Sequence, residues 1–327
     1  MKIPCFDKAA DFLKQHSSFL IISHIQPDCD SVGSSAALCH YLIRQGKKAA
    51  LIVPDVLPSK FNFLVETLPF YDIDSAKEAV AENFEALIIL DCSSWSRLGR
   101  LEDQFKKEFS KVLVIDHHST NENFGDASVV EPLAPATAFL IYHFITDSLK
   151  GNIVPFEANA LMSGLKADTG SFSYSNTSKE VFAVALSLVE AGCEPAFVAS
   201  NLSDSWSLEA IAFVREALQN IEVFEDGKIV VIYVPYECFS KHKADRITVL
   251  SLMKYVRGFE GAVVSVLLYE DEPSKIKASL RSDGTVNVSN VASSFSGGGH
   301  ICASGLSVNG DIEKVMQSIV TKIREFI

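Results

Sequence analysis

Short apolar runs punctuate the first half of the chain, and polar segments with helical periodicity separate them. Phe19–Ser23 (FLIIS), Ala49–Val53, Ala86–Leu90 and Val112–Ile115 read as strands, each continuously apolar rather than alternating. Strands of that kind are covered on both faces, which is the signature of a parallel sheet wrapped by helices. Ser34–Gln45 reads as the first such helix, with Ala37, Leu38, Tyr41 and Leu42 at helical spacing. Further helices are predicted around Ala136–Ser148, Glu157–Ala167 and Lys179–Ala191, the last stopped by Gly192. The fold class of this half is therefore α/β.

The pattern changes after a helix at Ser207–Ile221 that reads as joining two halves. Lys228–Val234 and Gly261–Tyr269 are predicted strands, and Lys275–Arg281 is a strand that alternates in polarity. Thr248–Tyr255 and Ile312–Phe326 read as helices. A chain of 327 residues suits two domains. The expected division is 1–200 for the first, 201–222 for a linker helix and 223–327 for a smaller second α/β domain.

The net charge of −12 disfavours a protein that grips long nucleic acid, because such a surface must neutralise many phosphates. Small anionic substrates remain open if metal ions and a few basic residues supply local positive charge. The seven cysteines are scattered and form no CxxC pair, which argues against a disulfide framework or a zinc-thiolate site. No apolar stretch is long enough to cross a bilayer, and the first residues lack a signal-peptide core. A cytoplasmic protein without a membrane partner is the expectation.

Candidate chemistry sits where strands and helices end, as ligand sites do in open parallel sheets. His24, Asp28 and Asp30 share the loop after FLIIS; helix capping explains a lone Asp there, but less well two with a His. Asp91 ends the run ALIIL, where a turn former is the commoner explanation of a single Asp, and Arg97 follows within reach of a phosphate. Asp116-His117-His118 ends VLVI, and packing accounts poorly for adjacent histidines there. Asp168 closes a predicted helix before Gly170. Carboxylate and imidazole ligands without thiolate favour Mn2+, Mg2+ or similar ions, and the set suffices for two. Two such ions ~3.5–4 Å apart would form a clamp for phosphoryl hydrolysis. Near the C-terminus, Gly297-Gly298-Gly299-His300 follows the strand bearing Lys275, Lys277 and Arg281. Alone the glycines read as a flexible turn; with Arg281 and His300 they read as a phosphate or nucleotide pocket.

In this order the motifs HIQPDCDSVGS, LDCSSWSRLG, VIDHHS, ADTGSF, SLRS and GGGHICASG resemble the DHH/DHHA1 phosphoesterase superfamily, in particular its nanoRNase/pAp-phosphatase type. The resemblance covers essentially the whole chain. It implies an N-terminal parallel-sheet DHH domain carrying two divalent ions, with Mn2+ preferred, and a smaller DHHA1 domain that holds substrate across a cleft. His24 and Asp28 would bind one ion, Asp30, His117 and Asp168 the other, and Asp91 would bridge them. His118 would meet the scissile phosphate and assist catalysis with Asp91. Arg97, Arg281, Gly298, Gly299 and His300 would contact substrate. Two departures are visible: Cys29 stands where the family more often has Gly, and Ser304 where it more often has Ala.

The implied activity is hydrolysis of short oligoribonucleotides or linear dinucleotides such as pApA to monophosphates, and of pAp to AMP. The alternatives are a cyclic-di-AMP phosphodiesterase, a pyrophosphatase-like enzyme and a non-catalytic nucleotide-binding regulator. The partner implied is a short nucleotide substrate rather than a long duplex, and a homodimer is open.

Overall fold

The computed structural model describes residues 3–202, 207–242, 244 and 246–327, with the side chains of 246, 247, 271 and 300 outside that description. It divides into two compact units, Met1–Ser203 and Asp204–Ile327.

The first unit is a six-stranded sheet in the order β3-β2-β1-β4-β5-β6. Its strands are β1 Ser18–Ile22, β2 Lys48–Ile52, β3 Phe70–Tyr71, β4 Ala86–Leu90, β5 Val112–Asp116 and β6 Ala127–Val130. Every pairing in it is parallel. The continuous apolar runs are explained by burial on both faces. Phe19 and Ile21 point into one core and Leu20 and Ile22 into the other, and β4 divides its residues in the same way. Each fully buried Leu or Ile contributes about 1.5–3 kcal/mol relative to exposure. The strand order reverses direction between β1 and β4, so the carboxyl ends of these two strands flank the crevice where doubly wound sheets bind ligands.

The helices of this unit are α1 Asp7–Gln15, α2 Cys29–Arg44, α3 Ala76–Ala81, α4 Glu102–Glu108, α5 Thr137–His143, α6 Pro155–Asp168, α7 Lys179–Glu190 and α8 Pro195–Leu202. Helix α2 begins five residues earlier than the apolar periodicity predicts, at Cys29 rather than Ser34. The cause is a capping box: Asp28 Oδ1 accepts from the Ser31 backbone N–H at 2.9 Å, and Ser31 Oγ accepts from the Asp28 N–H at 3.2 Å. Polar residues that look like loop are thus the first turn of a buried helix. Gly33 lies in that turn because α2 meets α6 there; a Cβ at Gly33 would fall 2.5 Å from the Ala160 carbonyl oxygen.

The second unit is a six-stranded sheet in the order β11-β12-β10-β9-β8-β7, antiparallel except for the β8–β9 pair. Its strands are β7 Ile221–Phe224, β8 Ile229–Val234, β9 Val264–Glu272, β10 Lys275–Ser282, β11 Gly298–His300 and β12 Ala303–Asn309. Lys275–Ser282 alternates in burial as its sequence alternates in polarity. Helix Leu208–Ala217 buries Phe213, Val214 and Ala217 among Val230, Ile232 and Leu267 of this unit. Helix Ile312–Arg324 closes the opposite face with Met316, Ile319, Val320 and Ile323.

Within the glycine run, which the sequence offers as a phosphate or nucleotide pocket, Gly298–His300 is a strand paired antiparallel with Ala303–Gly305. Glycine is demanded there by close approach of the neighbouring strand. A Cβ on Gly299, whose φ is +144°, would lie 2.5 Å from the Ala303 carbonyl oxygen. Among the described residues no single helix is long and apolar enough to cross a membrane.

Candidate metal centre

Three strand ends and two helix ends of the first unit bring seven of the predicted side chains together. His24 follows β1, Asp28 caps α2 and Asp30 lies in its first turn. Asp91 follows β4, His117 and His118 follow β5, and Asp168 is the last residue of α6. His24 Nε2 lies 3.7 Å from Asp28 Oδ2 and 3.6 Å from Asp91 Oδ2. His117 Nε2 lies 3.4 Å from Asp91 Oδ1, 3.2 Å from Asp168 Oδ2 and 4.0 Å from Asp30 Oδ2. Asp91 therefore divides its two oxygens between the His24 group and the His117 group. Capping and ligation do not compete at Asp28: Oδ1 caps α2 while Oδ2 faces His24.

The three imidazoles share one arrangement. His24 Nδ1 lies 2.7 Å from the Ile25 carbonyl oxygen, His117 Nδ1 is 3.2 Å from that of Ala134, and His118 Nδ1 is 2.7 Å from Asp116 Oδ1. Each Nδ1–H donated to an acceptor leaves Nε2 as the ligating nitrogen, the arrangement that orients metal-binding histidines. Arg97 lies beside the group, its Nη2 3.1 Å from His24 Nδ1, as a neighbour and not a hydrogen-bond donor when that nitrogen's hydrogen goes to Ile25.

The charges of the cluster bear on what it could hold. Burial opposes protonation of His24, but the carboxylates of Asp28 and Asp91 outweigh it and raise its pKa to about 10. Burial also opposes a charge on His117, and Asp168, Asp91 and Asp30 together drive it well above the usual imidazole range. Burial, reinforced by Asp91 and Asp168, pushes Asp30 well above the usual carboxylate range. Burial, opposed by the His117 hydrogen bond and reinforced by Asp91 and Asp28, lifts Asp168 to about 6. Asp30 and Asp168 thus hold their protons more tightly than free carboxylates do, first because they are buried and then because negative charges crowd the same space. A divalent cation relieves that repulsion, and carboxylate oxygens with imidazole nitrogens are the donors that Mn2+ or Mg2+ accept. Side chains that could hold such an ion gather as His24-Asp28-Asp91, Asp30-His117-Asp168 and Asp91-His117-His118.

Several supporting residues escaped the sequence reading. Asp116, fully buried, accepts from the His117 N–H at 2.8 Å, from His118 Nδ1, and from Asn121 Nδ2 at 2.6 Å. Asp30 accepts from the backbone N–H groups of Thr137 and Ala138 at 2.6 and 2.8 Å. Position in a motif drew attention to Asp116 without giving it a role, and Thr137 carries no motif at all.

The remaining predicted residues belong to the second unit. Arg281 is on β10, with Nη1 donating to the Leu280 carbonyl at 2.9 Å. Gly298 and Gly299 are on β11, and the side chain of His300 lies outside the described residues. Glu216, Cys238 and His242 also gather in this unit. There Lys241 Nζ donates to Glu216 Oε2 at 2.6 Å and His242 Nε2 lies 2.9 Å from the same oxygen, so the carboxylate already has an ammonium and an imidazole as partners.

A family model described as the DHH family, N-terminal domain, matches residues 18–165, and one described as the DHHA1 domain matches residues 226–327. The chain is 31% identical over 310 residues to the bifunctional oligoribonuclease and PAP phosphatase NrnA of Thermus thermophilus, covering 93% of this chain and 89% of the relative. It is 26% identical over 330 residues to the NrnA of Mycoplasma genitalium, covering 99% of each. Among solved structures, an exopolyphosphatase-related protein from Bacteroides fragilis superposes with a TM-score of 0.91 at 23% identity, covering 100% of this chain and 98% of that one. That likeness establishes the fold.

Proposed function

The chain belongs to the DHH family, with a DHHA1 domain in its second half, and we propose that it is a metal-dependent phosphodiesterase of short oligoribonucleotides. Its substrates are linear dinucleotides such as pApA, cleaved to nucleoside monophosphates, and pAp, cleaved to AMP. The relatives named as oligoribonuclease and PAP phosphatase support the substrate class. The observation that carries the reading is the division of Asp91 between two donor groups whose imidazoles all present Nε2. His24 and Asp28 would hold one divalent ion and Asp30, His117 and Asp168 another, with Asp91 available to both, and Mn2+ would be the preferred metal.

Bound there, divalent ions supply Lewis acidity toward phosphoryl oxygens and water. The chain supplies the rest. Asp116 fixes the ring of His118 and, with Asp91, raises its pKa against the effect of burial. Held so, His118 donates to the scissile phosphate and stabilises charge as it develops. Arg97 binds phosphate in the first unit; in the second, Arg281, Gly298, Gly299 and His300 bind phosphate or the terminal nucleotide. The net charge of −12 limits the chain to short substrates, since a long polyanion would be repelled.

Arg281→Ala is expected to raise KM for pApA by about 10- to 100-fold, the worth of a lost charge-assisted hydrogen bond. Mn2+ affinity should stay at the wild-type value; calorimetric titration of the metal beside steady-state kinetics checks both. Equal loss of metal binding would remove Arg281 from the substrate-binding role.

The test of the function itself is chromatography of products from pApA, longer RNA oligomers, pAp, cyclic di-AMP and pyrophosphate, with Mn2+ or with chelator. AMP from pApA and pAp with Mn2+, abolished by chelator, is the expected result. Pyrophosphate cleaved in preference to pApA would make the enzyme a pyrophosphatase. No turnover by folded, metal-loaded protein would make it a binding regulator.

A further inference from the structure

Thr137 is fully buried at the first position of α5. A threonine at a helix start ordinarily caps the helix or bonds back to a nearby carbonyl. Thr137 does neither: α5 is preceded by Ala136, which makes no side-chain cap, and the Thr137 hydroxyl donates instead to Asp91 Oδ1 at 2.9 Å. That bond joins positions 46 residues apart.

Its target is unusual in two ways. Asp91 sits in the left-handed backbone region at φ 56°, anchored by its own N–H to the Ile115 carbonyl at 3.1 Å. Its backbone is thus fixed while its carboxyl group can still turn about the side-chain torsions. The Thr137 hydroxyl engages the oxygen that faces His117, which leaves Oδ2 toward His24. At the same time the Thr137 and Ala138 N–H groups hold both oxygens of Asp30. One residue therefore touches a carboxylate of each donor group.

We infer that Thr137 is a positioning residue that sets the orientation of the Asp91 carboxylate and so couples the two ion-binding groups. The inference rests on the metal-centre reading above. It deepens that reading by assigning the residue that fixes how Asp91 is shared. Replacing the hydroxyl by a methyl group removes only the Asp91 bond, because the two N–H donors to Asp30 belong to the backbone.

The experiment compares wild type, Thr137→Val and Thr137→Ser as whole chains, by calorimetric titration of Mn2+ into metal-free protein and by thermal unfolding without metal. Thr137→Val should weaken Mn2+ binding by about 10- to 100-fold, the usual effect of deleting a hydrogen-bond partner of a metal ligand. Thr137→Ser should restore binding to within about 3-fold, because it keeps the donor. Wild-type affinity in Thr137→Val would overturn the inference, and so would equal weakening in Thr137→Ser, which would trace the effect to the lost methyl contact. Should Thr137→Val not fold, binding by Thr137→Ser below that range would overturn it and binding within it would support it. A wild-type chain that binds no Mn2+ would instead overturn the metal-centre reading, and this inference with it.

Discussion

Asp91→Asn is expected to lower turnover of pApA by roughly 10^3- to 10^4-fold, the range seen when one member of a cooperating catalytic set is removed. Asn is the informative replacement because Asp91 lies at φ 56°. Asn tolerates the left-handed region, whereas Ala would add backbone strain and blur lost chemistry with lost fold. The amide keeps one oxygen, so Thr137 retains an acceptor. It loses the charge, and it loses one of the two oxygens that face His24 and His117 at 3.6 and 3.4 Å. An NH2 group cannot ligate, so one donor group is left incomplete whichever way the amide turns. Calorimetric Mn2+ titration should show one class of site weakened much more than the other, and circular dichroism should match wild type. More than a tenth of wild-type turnover in a correctly folded variant would show that Asp91 is dispensable and the two-group reading wrong.

How much of this centre the sequence carries depends on where each residue's signal lies. His24, Asp91 and His117 were legible because each follows an apolar run buried on both faces, and a polar residue at such an end has little structural reason to be a histidine. Asp28 and Asp30 were legible as chemistry but misplaced as structure. Their polarity hides the first turn of α2, and Gly33, which reads as a loop residue, is a contact point between helices. Thr137 and Asp116 were not legible in their roles. Their partners are fixed by the fold and not by spacing, since Thr137 meets Asp91 and Asp30 only because α5 begins beside the residue that follows β4 and the first turn of α2. The strand within the glycine run was hidden for a related reason. Gly has low strand propensity, so the demand for it at β11 comes from the neighbouring strand, which a local pattern does not record.

The same long-range logic governs stability, where Arg44→Met is expected to cost about 1–3 kcal/mol, the penalty for taking the partner from a buried acceptor while Arg44 itself is part-exposed. Glu157 is fully buried at the start of α6. Its Oε1 accepts from Arg44 Nε at 2.9 Å and lies 2.9 Å from His40 Nδ1, and its Oε2 accepts from Arg44 Nη2 and the Val154 N–H at 3.1 Å each. Helices α2 and α6 run antiparallel, with Arg44 and Glu157 at one end and Asp30 and Asp168 at the other. The ion pair therefore fixes the axial register that lets the ligand-bearing ends meet, with Gly33 and Ala160 in contact between them. Without Arg44 the carboxylate stays buried with only His40 and one backbone N–H. Arg44→Met with Glu157→Gln should recover at least half of the loss in urea unfolding, because Gln still accepts from Val154 but carries no charge to desolvate. Methionine keeps most of the arginine stem's apolar contact, so packing changes little in the single variant. A double variant no more stable than Arg44→Met alone would move the cost from the stranded charge to the Arg44 Nη2 bond with the Asn152 carbonyl, which both variants lose.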